Sequence, residues 1–164
     1  MSVLGGGIRP SRALPKVVLA IAIGALLVGG VGCGEGEAPA AGAAVAAYVE
    51  APLCAGAKRE LAKAGPGAGS VEVRAICLDE VRRRGRLDLA AVGANARRAS
   101  EDSAAIAYLE APITPSFSRP IVEAAGIAVI RADSGAAAMA RLLVAVRNAG
   151  SGSLRDAVRE ALGS

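Results

Sequence analysis

Histidine and tryptophan are absent from the 164 residues, and there are only one phenylalanine and two tyrosines. Without histidine the chain has no Ser-His-Asp or Cys-His nucleophile, no His-ligated zinc and no imidazole general base. Without aromatic side chains in number it lacks the stacking platforms on which single-stranded nucleic acid binds, so no nucleic-acid partner is expected. No other side chain pairs a nucleophile with a base. The chain is therefore expected not to be an enzyme, and no metal or cofactor is expected. Cysteine is scarce, at Cys33, Cys54 and Cys77.

What the sequence does carry begins at its start. Arg9, Arg12 and Lys16 precede the apolar run Val17 to Val28, followed by Gly29-Gly30-Val31-Gly32-Cys33. A charged segment, an apolar segment and small residues in that order form a secretion signal. The apolar run spans 12 residues, short of the roughly 20 that a membrane-spanning helix needs. Small residues directly before a cysteine resemble the bacterial lipobox, with Gly30 where that motif usually has Leu. The resemblance implies diacylation of Cys33 and anchoring to the outer face of the cell membrane; a plain cleaved signal and an uncleaved anchor are the alternatives. Residues 1–32 hold three of the 19 Lys and Arg and none of the 15 Asp and Glu, leaving 16 positive against 15 negative charges. The basic balance is thus mostly the signal's. Residues 33–43, the lipidated cysteine and a Gly, Ala, Pro and Glu stretch, read as a flexible tether. Residues 44–164 are one domain, large enough to bury a core.

Within that domain strands and helices alternate. Val45–Val49, Val71–Leu78, Ala104–Leu109 and Ile127–Ile130 are expected as strands. Ala55–Ala64, Leu87–Ala99, Pro115–Ala125, Ser134–Asn148 and Leu154–Leu162 are expected as helices. Short strands separated by helices predict an α/β fold, a single doubly wound parallel sheet of about four strands with flanking helices. Thr114 before Pro115 reads as a helix cap with proline at the first helical position, and Ser153-Leu-Arg-Asp156 approximates a capping box. Met139, Leu142, Leu143 and Val146 recur at helical spacing, which predicts that the helix containing them lies against the sheet.

Tyr48-Val-Glu-Ala-Pro-Leu53, Ser70 to Asp79, Ala94 to Tyr108 and Ser118 to Ile127 resemble, in that order, the first lobe of type 1 periplasmic binding proteins. The closest branch is the branched-chain amino acid binding lipoproteins of ABC transporters. Ala136 to Leu162 is similar to the terminal helices that pack back onto that lobe in the family. The resemblance implies a solute-binding-protein-like lipoprotein for a small polar solute such as an amino acid. An ABC transporter permease, or a second chain, would be its partner. Ile130 leads through Arg131-Ala-Asp133 straight into the terminal helices, so a second lobe is not expected. An envelope lipoprotein that kept the fold and lost the clamp is the alternative reading.

Doubly wound sheets place ligands outside the carboxyl ends of their strands. Thr114, Ser116 and Ser134, in the loops after the third and fourth strands, are therefore the candidate ligand contacts; the plainer reading is that Thr114 and Ser134 cap helices. Cys54 lies just beyond the first strand and Cys77 near the end of the second. If those strands are neighbours, the pair is expected to form a disulfide outside the cytoplasm, two buried thiols being the alternative. Gly65-Pro-Gly-Ala-Gly69 follows a helix and precedes a strand, so it reads as a turn rather than a phosphate loop. Arg82-Arg-Arg-Gly-Arg86 reads as a solvated loop, or as a site of attraction to acidic lipid or phosphate. Asp79-Glu80 reads as a polar strand end.

Overall fold

The computed structural model describes residues 44–65, 71–114, 116–150 and 152–163. The expected signal, Cys33 and the tether lie outside the described residues, as do positions 66–69 of the expected turn. In chain order the elements are β1 (Ala44–Val49), α1 (Ala51–Ala64), β2 (Glu72–Cys77), β3 (Arg82–Arg83), β4 (Arg86–Leu87), α2 (Leu89–Ser100), β5 (Ala105–Glu110), α3 (Arg119–Ala124), β6 (Ala128–Arg131), α4 (Gly135–Asn148) and α5 (Leu154–Leu162). Four strands form a parallel sheet in the order β2-β1-β5-β6. The fold is the expected α/β one.

The two central strands, Ala-Val-Ala-Ala-Tyr-Val and Ala-Ile-Ala-Tyr-Leu-Glu, are buried along almost their whole length. That is the pattern of a sheet covered on both faces. Val45, Ala47, Val49, Leu109 and Ile130 pack with Leu53 of α1, Met139 and Leu142 of α4 and Val158 of α5. On the other face Ala46, Tyr48 and Tyr108 pack with Ala96 and Ala99 of α2 and Val122 of α3. The terminal helices thus lie on the sheet, and all four apolar positions expected to face it, Met139, Leu142, Leu143 and Val146, are buried.

Strand positions agree with expectation to within a residue or so, while three helix starts move. α1 begins at Ala51 rather than Ala55, because Pro52 sits in its first turn, where no amide donor is needed. α2 begins at Leu89 rather than Leu87, with Asp88 accepting from the amides of Ala90 and Ala91, both at 3.1 Å. α3 begins at Arg119, not Pro115, and its early proline is Pro120. The expected Thr114 cap does not form, because Thr114 is buried and turned to other work. Ser153 does cap α5, accepting from the Asp156 amide at 3.4 Å, while the Asp156 carboxylate pairs with Arg159 at 3.1 Å.

Two features fix α1 in place. Gly135, at the start of α4, lies so close to α1 that a Cβ there would overlap the Leu53 carbonyl, and one on Gly56 would sit 3.0 Å from the Ala136 amide. Only the absence of side chains lets these helices approach. Cys54 of α1 is joined to Cys77 of β2 by the expected disulfide, their Cα atoms 5.6 Å apart and their positions 23 residues apart.

Gly135→Ala is expected to lower stability by about 1–3 kcal/mol or more, the cost of forcing atoms into a packed contact, read as a shift in the urea midpoint at constant slope. Reduction of the disulfide should remove about 3 kcal/mol in the chain-entropy account of a loop this long. Urea titrations with and without reductant measure the difference, and a Cys54→Ser, Cys77→Ser double variant should match the reduced protein.

Candidate functional site at the carboxyl edge of the sheet

From β1 the chain crosses through α1 to β2 on one side, whereas from β5 it crosses through α3 to β6 on the other. The direction of winding therefore reverses between β1 and β5, and the crevice outside their carboxyl ends is where such sheets bind ligands. Two carboxylates occupy that place. Glu50 directly follows β1 and is 1 % exposed; Glu110 ends β5 and is 0 % exposed.

A buried carboxylate is costly unless hydrogen-bonded, and both are. Glu50 accepts from the Ala111 amide at 2.8 Å and from the buried Tyr108 hydroxyl at 3.3 Å, with the Thr114 side chain as a further hydrogen-bonding partner. Glu110 accepts from the Ser118 hydroxyl at 3.1 Å and from Nε of Arg119 at 3.3 Å. A second guanidinium, that of Arg131, lies 3.8 Å from the same Glu110 oxygen. Arg131 also donates to the Ser116 hydroxyl at 2.9 Å and to the Pro112 carbonyl at 2.8 Å. No buried side-chain nitrogen or oxygen among the described residues lacks a partner.

Burial raises the Glu50 pKa above the ordinary value of 4.5, opposed by the Ala111 amide and the Thr114 side chain and assisted by the nearby charge of Glu110. Burial, and then the Glu50 charge, raise Tyr108 as well. Glu50 is drawn towards its neutral form while Glu110 faces two guanidiniums. Arg82 of β3 donates to the Ile113 carbonyl at 3.3 Å. Arg82 shares its cleft with Asp79, Glu80 and Asp88, so charges of both signs meet at this edge. Arg119 and Arg131 remain 37 % and 40 % exposed at their side chains, within reach of solvent, while neither carboxylate is.

The three hydroxyls expected to contact ligand are divided by the structure. Thr114 and Ser116 enter one network, the first inside against Glu50, the second at the surface on Arg131. Ser134 caps α4, accepting from the Ala137 amide at 3.4 Å, as its plainer reading had it. The arginine cluster is exposed, as expected of a solvated segment, and it forms a hairpin. Arg82–Arg83 and Arg86–Leu87 pair antiparallel, and Arg84 and Gly85 take positive φ values of 52° and 76°, as a tight two-residue hairpin turn requires. Beside it, exposed Asp79 and Glu80 line a cleft of about 550 Å³ with Arg82, Arg83 and Asp88.

Glu50, Tyr108, Glu110, Ser118, Arg119 and Arg131 were not singled out from the sequence, although a signal for the first three exists. Ala47-Tyr-Val-Glu-Ala-Pro52 and Ala107-Tyr-Leu-Glu-Ala-Pro112 are nearly the same hexapeptide. The structure lays the two side by side, pairing Ala47 with Ala107, Tyr48 with Tyr108 and Val49 with Leu109. A repeated Glu closing an apolar strand marks this edge. No protein-family model, curated protein or solved structure matches the chain.

A raised carboxyl pKa has a definite consequence for stability. Just above the ordinary Glu value the unfolded chain has released a proton that folded Glu50 still holds, so stability falls as pH rises through that window until folded Glu50 ionises. Glu50→Gln, which imitates the neutral form, should remove that part of the fall, as urea midpoints across the window would record. Glu50→Ala should instead lose about 1–3 kcal/mol for each buried group left without a partner, the Ala111 amide and the Tyr108 hydroxyl.

Proposed function

We propose that the chain is an extracytoplasmic, solute-binding-protein-like lipoprotein that takes up a small polar solute bearing a carboxylate, such as an amino acid, at the carboxyl edge between β1 and β5. The observation that carries this reading is the pair of arginines at the winding reversal. Arg119 and Arg131 share the single carboxylate of Glu110, and both side chains are partly exposed to solvent. A guanidinium offers paired donors that match a carboxylate, and the Ser116 hydroxyl beside Arg131 adds one more polar contact. A solute held by this lobe alone stays open to water on one side, so its affinity is weak unless a second wall, such as a transporter permease, covers it. Lipid on Cys33 would hold the protein at the outer face of the membrane.

A second reading, an envelope interaction lipoprotein, is favoured by a different observation. Ile113 and Phe117, on either side of Ser116, are 55 % and 58 % exposed. Large apolar groups so placed suit contact with another macromolecule better than a polar solute.

Thermal unfolding with a panel of amino acids and small organic acids tests the first reading. A solute at 100 times its dissociation constant should add about 2.7 kcal/mol, and Arg131→Gln should abolish that increment relative to its own ligand-free curve. No increment from any acid would leave the interaction reading in its place. For the anchor, the exported protein should partition into detergent and incorporate palmitate, and Cys33→Ala should lose both; labelling unchanged in that variant removes the lipid anchor from the account.

A further inference from the structure

Four buried side chains that carry oxygen are joined in series at the carboxyl edge. Tyr108 and Oε1 of Glu50 are hydrogen-bonded at 3.3 Å, and Ser118 and Oε1 of Glu110 at 3.1 Å. The Tyr108 and Ser118 hydroxyls are themselves hydrogen-bonding partners, and all four residues are buried. The series Glu50–Tyr108–Ser118–Glu110 thus has three links, each needing one hydrogen, while the two hydroxyls bring two. With both acids ionised, each hydroxyl turns its hydrogen to its own carboxylate, and the Tyr108 and Ser118 oxygens meet with none between them. One proton on a carboxyl supplies the third. The outer oxygens decide which end carries it. Oε2 of Glu110 meets the guanidiniums of Arg119 at 3.3 Å and Arg131 at 3.8 Å, whereas Oε2 of Glu50 accepts from the neutral Ala111 amide at 2.8 Å. A charge on Glu50 has no cation beside it, so the proton rests there; Glu50 then donates to Tyr108, Tyr108 to Ser118 and Ser118 to Glu110. Among the described residues, the titratable or charged groups that face Glu50 are Tyr108 and Glu110 of β5, with Arg119 of α3 and Arg131 of β6 behind Glu110. Thr114 is neutral, and α1 has no acid in its first turn.

We propose that these four side chains hold a single proton and that its retention is linked to solute capture, a carboxylate on Arg119 and Arg131 being bound more tightly while Glu50 is protonated. The proposal rests on the solute-binding reading of this edge and adds its regulation by pH. The physical link is charge. A solute carboxylate on the two guanidiniums brings a further negative charge to the solvent side of Glu110 and competes for the cations that offset it. Glu110 already acts on Glu50 through its charge, and between groups closed off from water such repulsion is weakly screened. Ionising Glu50 is therefore harder with the solute bound than without it. By linkage, the solute is held less firmly once Glu50 has lost its proton. Affinity is highest below the pH at which Glu50 ionises in the free protein. It falls as pH rises through that range and levels off above the pH at which Glu50 ionises in the complex.

The test uses the full-length chain in detergent with glycine, L-alanine and trifluoroacetate as probes, since their carboxylates stay ionised across the window in which Glu50 titrates. Calorimetric titrations at a series of pH values should show affinity falling as pH rises, by at most about tenfold per unit, the limit for one linked proton. Within the fall, titrations in two buffers of different ionisation enthalpy should show protons taken up as the probe binds. Glu50→Gln has no proton to lose at that place, so its affinity should be flat with pH and its proton uptake absent. A second reading needs no variant: the Glu50 carboxyl of the unaltered chain, followed by carbon-13 NMR, should titrate at higher pH with the probe bound than without it. Arg131→Gln should lose the probe at every pH, which places the probe on the arginine pair. Flat affinity in the unaltered chain, protons released instead of taken up, a Glu50 midpoint unmoved by the probe, or a slope that persists in Glu50→Gln would each overturn the proposal and leave solute binding in place. Failure of every probe to bind at any pH, or undiminished binding to Arg131→Gln, would remove the arginine pair as a carboxylate site and the proposal with it.

Discussion

Two carboxylates closed off from water at the ends of adjacent strands are the constraint around which this edge of the molecule is arranged. Each must be satisfied by the protein itself, since water cannot reach it. Glu50 takes the amide that starts the chain after β5, and Glu110 draws Ser118, Arg119 and Arg131 towards it. The segment between β5 and α3 is held because its backbone and hydroxyls are the counterparts that these acids and arginines require. The partly exposed arginines, and the exposed Ile113 and Phe117, follow from the same arrangement: Arg119 and Arg131 come to the edge for Glu110, and the apolar pair is carried on the segment beside them.

Elsewhere the structure is governed by small side chains. Alanine lines both central strands and the facing helix surfaces, so the layers approach closely, and at Gly135 the approach is close enough to exclude even a methyl group. The disulfide ties the same helix to the outer strand β2. α1 is thereby fixed at its start, directly after Glu50, which helps hold the Glu50 carboxylate in its buried position.

Much of the scaffold was legible from the alternation of short apolar runs with helical periods. The four sheet strands, the helix spans of α4 and α5 and the Ser153 cap come from local patterns that tertiary packing had no reason to override. The disulfide was legible because sequential strands pair. Helix starts at Ala51 and Arg119 were not, since a proline in the first turn looks like a break when the turn before it is unknown. The β3–β4 hairpin was hidden because Arg84 adopts a positive φ that its residue type does not announce. The site itself was mostly hidden. Thr114 and Ser116 lie at the carboxyl edge of the sheet, where the rule for wound sheets put them, but a hydroxyl's partner is set by which strands become neighbours. The repeated Ala-Tyr-Val/Leu-Glu-Ala-Pro hexapeptide was the one local sign that two glutamates would meet there.

Whether the edge captures a solute or a protein, its shape depends on Glu50 remaining inside and resisting ionisation. Carbon-13 NMR of the glutamate side-chain carboxyls, followed through a pH titration with Glu50→Gln to assign its resonance, reads this directly. The account predicts a Glu50 carboxyl that titrates above 4.5, the ordinary value, with the Ala111 amide resonance shifting in step. A Glu50 carboxyl titrating at or below that value, with the Ala111 amide indifferent to it, would contradict the buried network on which the edge depends.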